Sequence, residues 1–166
     1  MNLNPLNQLT LFGHFIEFSN FINLYENQKL PNKVLLSGEK GIGKSTLAYH
    51  IVNYILSIDE NYHYDLKNFQ INPNNKSYKL ILNKSNPNFI SIDLDYDKKS
   101  IDISQIRNLI SILNKSSFNK KPRFVLIDNI ELLNINSVNA LLKILEEPND
   151  NIHFILINNH KKILPT

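Results

Sequence analysis

Cysteine is missing altogether from these 166 residues, and glycine is down to four. Without a thiol there is no disulfide framework, no thiolate zinc site and no cysteine nucleophile. Charge of one sign is scarce too: 18 Lys+Arg against 15 Asp+Glu leave +3, too little to argue nucleic-acid binding from charge. No apolar run approaches the roughly 18 residues of a membrane-crossing helix. The opening ten residues, Met1–Thr10, have no apolar stretch of the secretory-leader kind. The five histidines, at 14, 50, 63, 153 and 160, lack ligand-like spacing, which favours structural or surface roles over metal binding. What remains is a composition of 42% hydrophobic and 20% charged residues. It suits one soluble, cytoplasmic globular domain at roughly 100–200 residues per domain.

Asparagine, by contrast, occurs 27 times, scattered and not in tracts, as A/T-rich codon usage would leave it. Phe15, Phe18, Ile22 and Tyr25 predict an amphipathic helix over 14–29, broken by Pro31 and Asn32. Lys33–Ser37 reads as a buried strand, followed by a glycine loop over 38–43 and a helix over 45–57. Residues 59–88 are polar, with Pro73 and Pro87 and no sustained period. They read as an irregular excursion with a hairpin around Tyr78 to Leu82. Phe89–Asp93 is the next strand. Asp102 and Gln105 form a capping box before the helical stripe Ile106, Leu109, Ile110, Leu113. Arg123–Asp128 is an apolar strand ending in an acid. Val138, Leu141, Leu142 and Leu145 mark a last helix stopped before Pro148, and His153–Asn158 a last strand. Alternating helices and continuously apolar strands predict an α/β fold with a mostly parallel sheet of about five strands, flanked by helices.

The chemistry centres on Gly38-Glu39-Lys40-Gly41-Ile42-Gly43-Lys44-Ser45, a fit to G-x4-G-K-[ST] between a strand and a helix. Glycines let successive backbone N–H groups turn inward onto phosphate oxygens, and the following helix adds the positive end of its dipole. In that reading Lys44 reaches the β/γ-phosphates of ATP and the Ser45 hydroxyl ligates Mg²⁺. Such a loop needs an acid at the end of another strand for the magnesium shell, and Asp128 ends Phe124-Val125-Leu126-Ile127. Many P-loop ATPases follow this acid with a glutamate that activates water; here Asn129 follows it, and an amide cannot accept that proton. Glu131 is the one nearby substitute, although a solvated helix-entry residue is its plainer reading. Binding is therefore better supported than hydrolysis. Lys120, Lys121 and Arg123, and also Lys161-Lys162, read as solvated loop charges, with phosphate-backbone contact as the alternative. Tyr62, Tyr64 and Tyr78 fit packing of the excursion better than stacking on bases.

Three segments together carry a resemblance: Leu11-Phe12-Gly13-His14, Leu36 through Lys44, and Asn139-Ala140-Leu141-Leu142-Lys143-Ile144-Leu145-Glu146-Glu147-Pro148. They resemble the bacterial clamp-loader subunits of DNA polymerase III, of the AAA+ class, and most of all the delta-prime branch. The resemblance covers essentially the whole chain, least well over 59–88. It implies an AAA+ nucleotide-binding subdomain over 1–166. Gly38, Gly41, Ile42, Gly43, Lys44, Ser45 and Thr46 would form the nucleotide loop, and Asp128 would serve magnesium. Asn158 would sense the γ-phosphate, and Leu11, Phe12 and Gly13 would lie beside the adenine. The implied cofactors are ATP and Mg²⁺. The implied partners are the delta and gamma/tau subunits in a hetero-oligomeric ring, and through that ring the sliding clamp and primer–template DNA. The family often carries a four-cysteine zinc module near 59–88, which a cysteine-free chain cannot form. The chain also stops at Pro165-Thr166, before the family's Ser-Arg-Cys segment, lid and collar, as an N-terminal fragment would. The resulting expectation is a clamp-loader subunit that binds ATP with weak or no hydrolysis. A competent gamma/tau-type ATPase is the alternative, and a P-loop small-molecule kinase a remote one.

Overall fold

The computed structural model describes residues 4–117, 119–146 and 151–159. Two compact units emerge, one from the residues through Pro31 together with Gly43–Phe89, the other from Asn32–Ile42 and the described residues from Ile90 on.

The first unit is helical: α1 (Phe15–Glu26), α2 (Lys44–Ser57) and α3 (Lys76–Leu82), preceded by a short 3-10 helix over Pro5–Asn7. Helix α2 buries Leu47, Ala48, Ile51, Val52, Ile55 and Leu56, which leaves it almost no solvent face; accordingly α1, α3 and the 3-10 helix all pack against it. The expected hairpin at Tyr78 to Leu82 is instead α3. Asn75 decides this by accepting a hydrogen bond from the Tyr78 N–H at 2.8 Å, an N-cap, after which Ser77, Tyr78 and Ile81 bury one helical face. Asparagines are structural here: Asn53 donates to the Asn75 side chain at 3.2 Å, and Asn75 donates to the Tyr62 carbonyl at 3.0 Å. Both asparagines are buried, so the excursion is held by satisfied polar groups and not left irregular. Tyr64 and Tyr78 pack inside as expected, while Tyr62 stays exposed.

The second unit holds a sheet in the order β1-β4-β3-β2, from β1 (Lys33–Ser37), β2 (Phe89–Ile92), β3 (Arg123–Ile127) and β4 (Ile152–Asn158). Among the described residues there are four strands, not five, because the segment expected to add strand is α3. Pairs β1–β4 and β3–β4 are parallel, with Leu36 opposite Ile157 and Val125 opposite Phe154. All five residues of β3 are buried, as suits an inner strand, whereas edge strand β1 alternates and exposes Leu35. Val125, Ile127, Ile152 and Phe154 form one core with Ile106, Leu109 and Leu113 of α4 (Ile103–Leu113) and Leu141 of α5 (Ile135–Glu146). The capping box forms as read: the Asp102 N–H donates to Gln105 Oε1 at 3.1 Å. On α5 the stripe is rotated from its expected face. Leu141 is buried and Ile144 and Leu145 pack partly, but Leu142 is 48% exposed.

Arg123 corrects the reading of a solvated basic cluster. It is buried, and its guanidinium donates to the carbonyls of Ile112 (2.8 Å), Leu113 (3.1 Å) and Lys115 (3.1 Å), closing the carboxyl end of α4. Burial lowers its pKa from the usual guanidinium value. Arg123→Ala should cost about 2–3 kcal/mol by urea denaturation, and Arg123→Lys should recover less than half, since an ammonium lacks the planar fork. Equal stability of the lysine variant would show that the fork is not what matters. Lys161-Lys162, His160, Glu147-Pro148 and the closing Ile163–Thr166 run fall outside the described residues.

Candidate functional site

In the sheet unit, every group of interest sits at the carboxyl ends of the strands, where open α/β sheets present ligand-binding loops. Ser37, the last residue of β1, is in register with Asn158 of β4. The ladder then runs one residue into the glycine loop, since the Gly38 N–H donates to the Asn158 carbonyl at 3.2 Å. Asn158 is thereby fixed beside the start of the loop and is 7% exposed. Gly41 adopts φ +87°, a left-handed conformation that side chains rarely take. Ile42, next to it, is exposed.

Asp128 follows β3, and its N–H donates to the Ile92 carbonyl at 2.9 Å. Its Oδ1 accepts two hydrogen bonds, from the Asn129 N–H at 2.8 Å and from Asn159 Nδ2 at 3.2 Å. Asn129 stands at φ 56°, ψ 48°, in the left-handed region that asparagine tolerates better than most residues. Both ends of its amide are used. Nδ2 donates to Asp93 Oδ1 at 2.7 Å, and Oδ1 accepts from Asn159 Nδ2 at 2.9 Å. A carboxylate only accepts, so this pairing also dictates which end of the Asn129 amide is nitrogen. Glu131 accepts from the Asn159 N–H at 3.1 Å; the one candidate for a substitute base is thus engaged in holding the end of β4.

In the helical unit, Gly43 caps α2 at φ +93°. A Cβ there would meet the His14 ring at an ordinary 3.5 Å, so the backbone angle and not space calls for glycine. Lys44 opens α2 at only 6% exposure, unusual for a lysine, and Ser45 and Thr46 are half-buried in the same turn. That turn contains no acidic residue, so no side chain of its own offsets the positive end of the helix dipole. Leu11 is buried and its N–H donates to the Phe69 carbonyl at 3.0 Å, while Phe12 is 81% exposed. The Leu11 amide is therefore committed within the fold.

No cluster of three or more His, Cys, Asp or Glu able to hold a metal occurs among the described residues. Magnesium asks for less: one or two carboxylates or hydroxyls beside substrate phosphates and water, a donor set that Ser45 and Asp128 suit by type. No helix among the described residues is long and apolar enough to cross a membrane. Sequence reasoning passed over Asp93 and Asn159. Asp93 could have been noticed as an acid directly after an apolar strand, as Asp128 is. Asn159 carries no such signal in a chain with 27 asparagines.

Comparison with known proteins adds the family. The family model described as DNA polymerase III, delta subunit, matches residues 14–166. The chain is 29% identical over 132 residues to the DNA polymerase III subunit delta' of Buchnera aphidicola subsp. Baizongia pistaciae, covering 76% of this chain and 38% of that protein. To the gamma/tau subunit of Mycoplasma genitalium it is 27% identical over 144 residues, covering 87% of this chain and 23% of that protein. A solved structure of a DNA polymerase III, gamma subunit-related protein from Thermotoga maritima superposes with a TM-score of 0.53 at 18% identity. It covers 83% of this chain and 38% of that one. At that identity the likeness concerns the fold alone, an α/β core. The chain spans less than half the length of each of these relatives.

Proposed function

This chain belongs to the DNA polymerase III delta-subunit family, and from that premise we propose that it acts as a clamp-loader subunit of the delta-prime kind in DNA replication. Its part is to bind ATP with Mg²⁺ inside a hetero-oligomeric ring with delta and gamma/tau subunits, working in the cytoplasm. Through that ring it acts on the sliding clamp and primer–template DNA. The observation that carries the nucleotide reading is the glycine loop itself, Gly38 through Thr46, running from β1 directly into α2.

In this reading Gly38, Gly41, Ile42 and Gly43 supply backbone N–H groups to the phosphates, and Lys44 their counter-charge. Ser45 and Asp128 serve the magnesium ion, and Asn158 senses the γ-phosphate. Leu11, Phe12 and Gly13 flank the adenine, with Phe12 free of the core to do so. Magnesium, when bound, offsets phosphate charge; the residues of this chain bind and orient. Hydrolysis is weak or absent, because Asn129 stands where a base would and its amide is occupied at both ends.

The test is calorimetric titration of the chain with ATP and Mg²⁺, alongside Lys44→Ala. Saturable binding is expected, weakened about a hundredfold by the substitution, as loss of a charged hydrogen-bond donor to phosphate implies. A folded chain that binds no ATP at millimolar concentration would overturn the nucleotide reading. Turnover in the assembled complex that depends on this chain's Lys44 would favour the gamma/tau-type ATPase instead.

A further inference from the structure

The helical unit holds a cavity for which the nucleotide reading has no use. It measures about 430 Å³, within the roughly 300–1,000 Å³ of ligand sites, and lies between the carboxyl end of α2 and the segment that follows. Tyr54, on its wall, stands ten positions after Lys44 on α2, about 15 Å from the glycine loop at 1.5 Å per residue. The walls are aromatic and apolar yet open to solvent: Ile58 is 43% exposed, Leu66 47% and Tyr62 54%. Tyr64 and Ile71 of the same segment are buried, so the segment is packed while these three side chains are held outward. Polar groups in the walls are also unspent. Among the described residues, the Asn61 amide, the Tyr62 hydroxyl and the His63 ring have no hydrogen-bond partner.

Charge here runs against that of the chain. The whole is +3, but over 54–72 Asp59, Glu60 and Asp65 are opposed by Lys67 alone. Asp65 lines the cavity and accepts from Asn68 twice, from the side chain at 2.7 Å and from the N–H at 3.1 Å. Those bonds hold its carboxyl below the usual carboxylate range. Glu26, at the end of α1, joins the wall by accepting from the Tyr54 hydroxyl through Oε1 at 2.8 Å, which leaves Oε2 over. Neither Glu26 nor Asp65 is in an ion pair among the described residues. Such walls repel phosphate, which argues against a nucleotide or a nucleic acid as the occupant. They suit a cation with a flat face. A guanidinium stacks on a tyrosine ring and offers five N–H donors to the carboxylates and the unspent acceptors.

We propose that this cavity is a docking pocket for an arginine side chain carried by an exposed segment of a partner protein. Tyr62 supplies the stacking face, and Glu26 and Asp65 supply the counter-charge. Ile58 and Leu66 form an apolar rim for the residues on either side of the arginine. That rim favours a protein segment over free arginine, whose own carboxylate the acidic walls would also oppose. The proposal stands apart from the nucleotide reading and does not need it.

The test follows backbone amide NMR signals of the 166-residue chain during four titrations. The probes are an end-blocked leucine-arginine-leucine peptide, the same peptide with neutral, isosteric citrulline for arginine, free L-arginine, and AMP. The arginine peptide should shift the Asn61, Tyr62 and Leu66 amides and saturate at about millimolar concentration. Citrulline, which keeps the shape and loses the charge, should bind at least about tenfold more weakly, and free L-arginine about threefold more weakly. Tyr62→Ala should weaken the arginine peptide about fivefold and Tyr62→Phe less than about twofold, because the ring and not the hydroxyl carries the stacking. Glu26→Gln still accepts from Tyr54 and should weaken it about threefold through loss of charge. No shift of these amides by about 10 mM arginine peptide overturns the proposal, as does equal binding of citrulline. Free L-arginine binding as tightly as the peptide would make this a small-molecule site instead. Shifts of the same amides by AMP would make it a base-stacking site. Shifts that grow with protein concentration alone would seat a second copy of the chain there. Each of these three results refutes docking of a partner arginine, and so does unchanged affinity in both Tyr62→Ala and Glu26→Gln.

Discussion

Replacing Phe18 by alanine is expected to lower the unfolding free energy by about 4 kcal/mol, in the range for deleting a fully buried aromatic ring. Phe18 is 1% exposed on α1 and is the ring on which three others converge. Tyr64 stacks on it at 5.2 Å between centroids, Phe69 meets it edge-on at 5.8 Å, and Tyr54 of α2 does so at 6.2 Å. These neighbours come from a helix and from two points of the 59–88 excursion, so they cannot close on the void together. Much of the loss is then cavity and not transfer free energy. Phe18→Leu should cost about 1–2 kcal/mol, because a leucine still fills part of the space. Urea denaturation followed by tyrosine fluorescence reads both variants. A cost under about 1 kcal/mol for the alanine would mean that the cluster repacks and that the excursion is not held by this ring.

Acid should destabilise the helical unit through one residue, His50. It is completely buried, and burial lowers its pKa to about 4 against an ordinary 6.5, despite an opposing contribution from the Gln8 carbonyl. The neighbours dictate its form. Nε2 faces the Gln8 carbonyl at 2.9 Å, an acceptor only, so Nε2 carries the hydrogen; Nδ1 then accepts from the Tyr64 hydroxyl at 2.7 Å. Protonating Nδ1 would force the Tyr64 hydroxyl to turn its hydrogen away and accept instead, with the imidazolium charge still buried. The unfolded chain therefore binds a proton near pH 6.5 that the folded chain refuses until about pH 4. Between those values the unfolded state holds more protons, and stability falls as pH falls. The contribution is complete above pH 6.5, and its loss by pH 4 amounts to about 3 kcal/mol. Unfolding free energies measured from pH 7 to 4 should drop by about that much more in the wild type than in His50→Gln, which has no group to titrate there. Parallel curves for the two proteins would show that His50 does not carry the acid sensitivity.

Patterns of short range were legible. The glycine loop could be read because Gly38 through Ser45 are contiguous, and the Asp102–Gln105 box because its two partners lie three residues apart. Strands β3 and β4 announce themselves as unbroken apolar runs, as strands covered by other elements do; β1 has the same look in the sequence, but it lies at the sheet edge with Leu35 exposed and none of its residues buried. Helix α3 escaped because seven residues give too little period to separate helix from strand, and its deciding cap, Asn75, looks like any other asparagine of the chain. Arg123 escaped because a basic residue beside Lys120 and Lys121 reads as surface until the end of α4 is seen to lack partners for its carbonyls. The α5 stripe has two adjacent leucines, Leu141 and Leu142, and only packing shows that Leu141 faces inward.

The chain order of hydrophobic periods and the spacing of a phosphate-binding loop are thus properties of neighbouring residues, and they settle the α/β class and the family without any coordinates. The site at the ends of the strands is of another kind. Asp93 reaches Asn129 across 36 positions, and Asn159 reaches Asp128 across 31. His50 becomes a buried neutral base only between Gln8, 42 residues before it, and Tyr64, 14 after. Hydrogen bonding and desolvation act through space over a few ångströms, and folding alone decides which residues come that close.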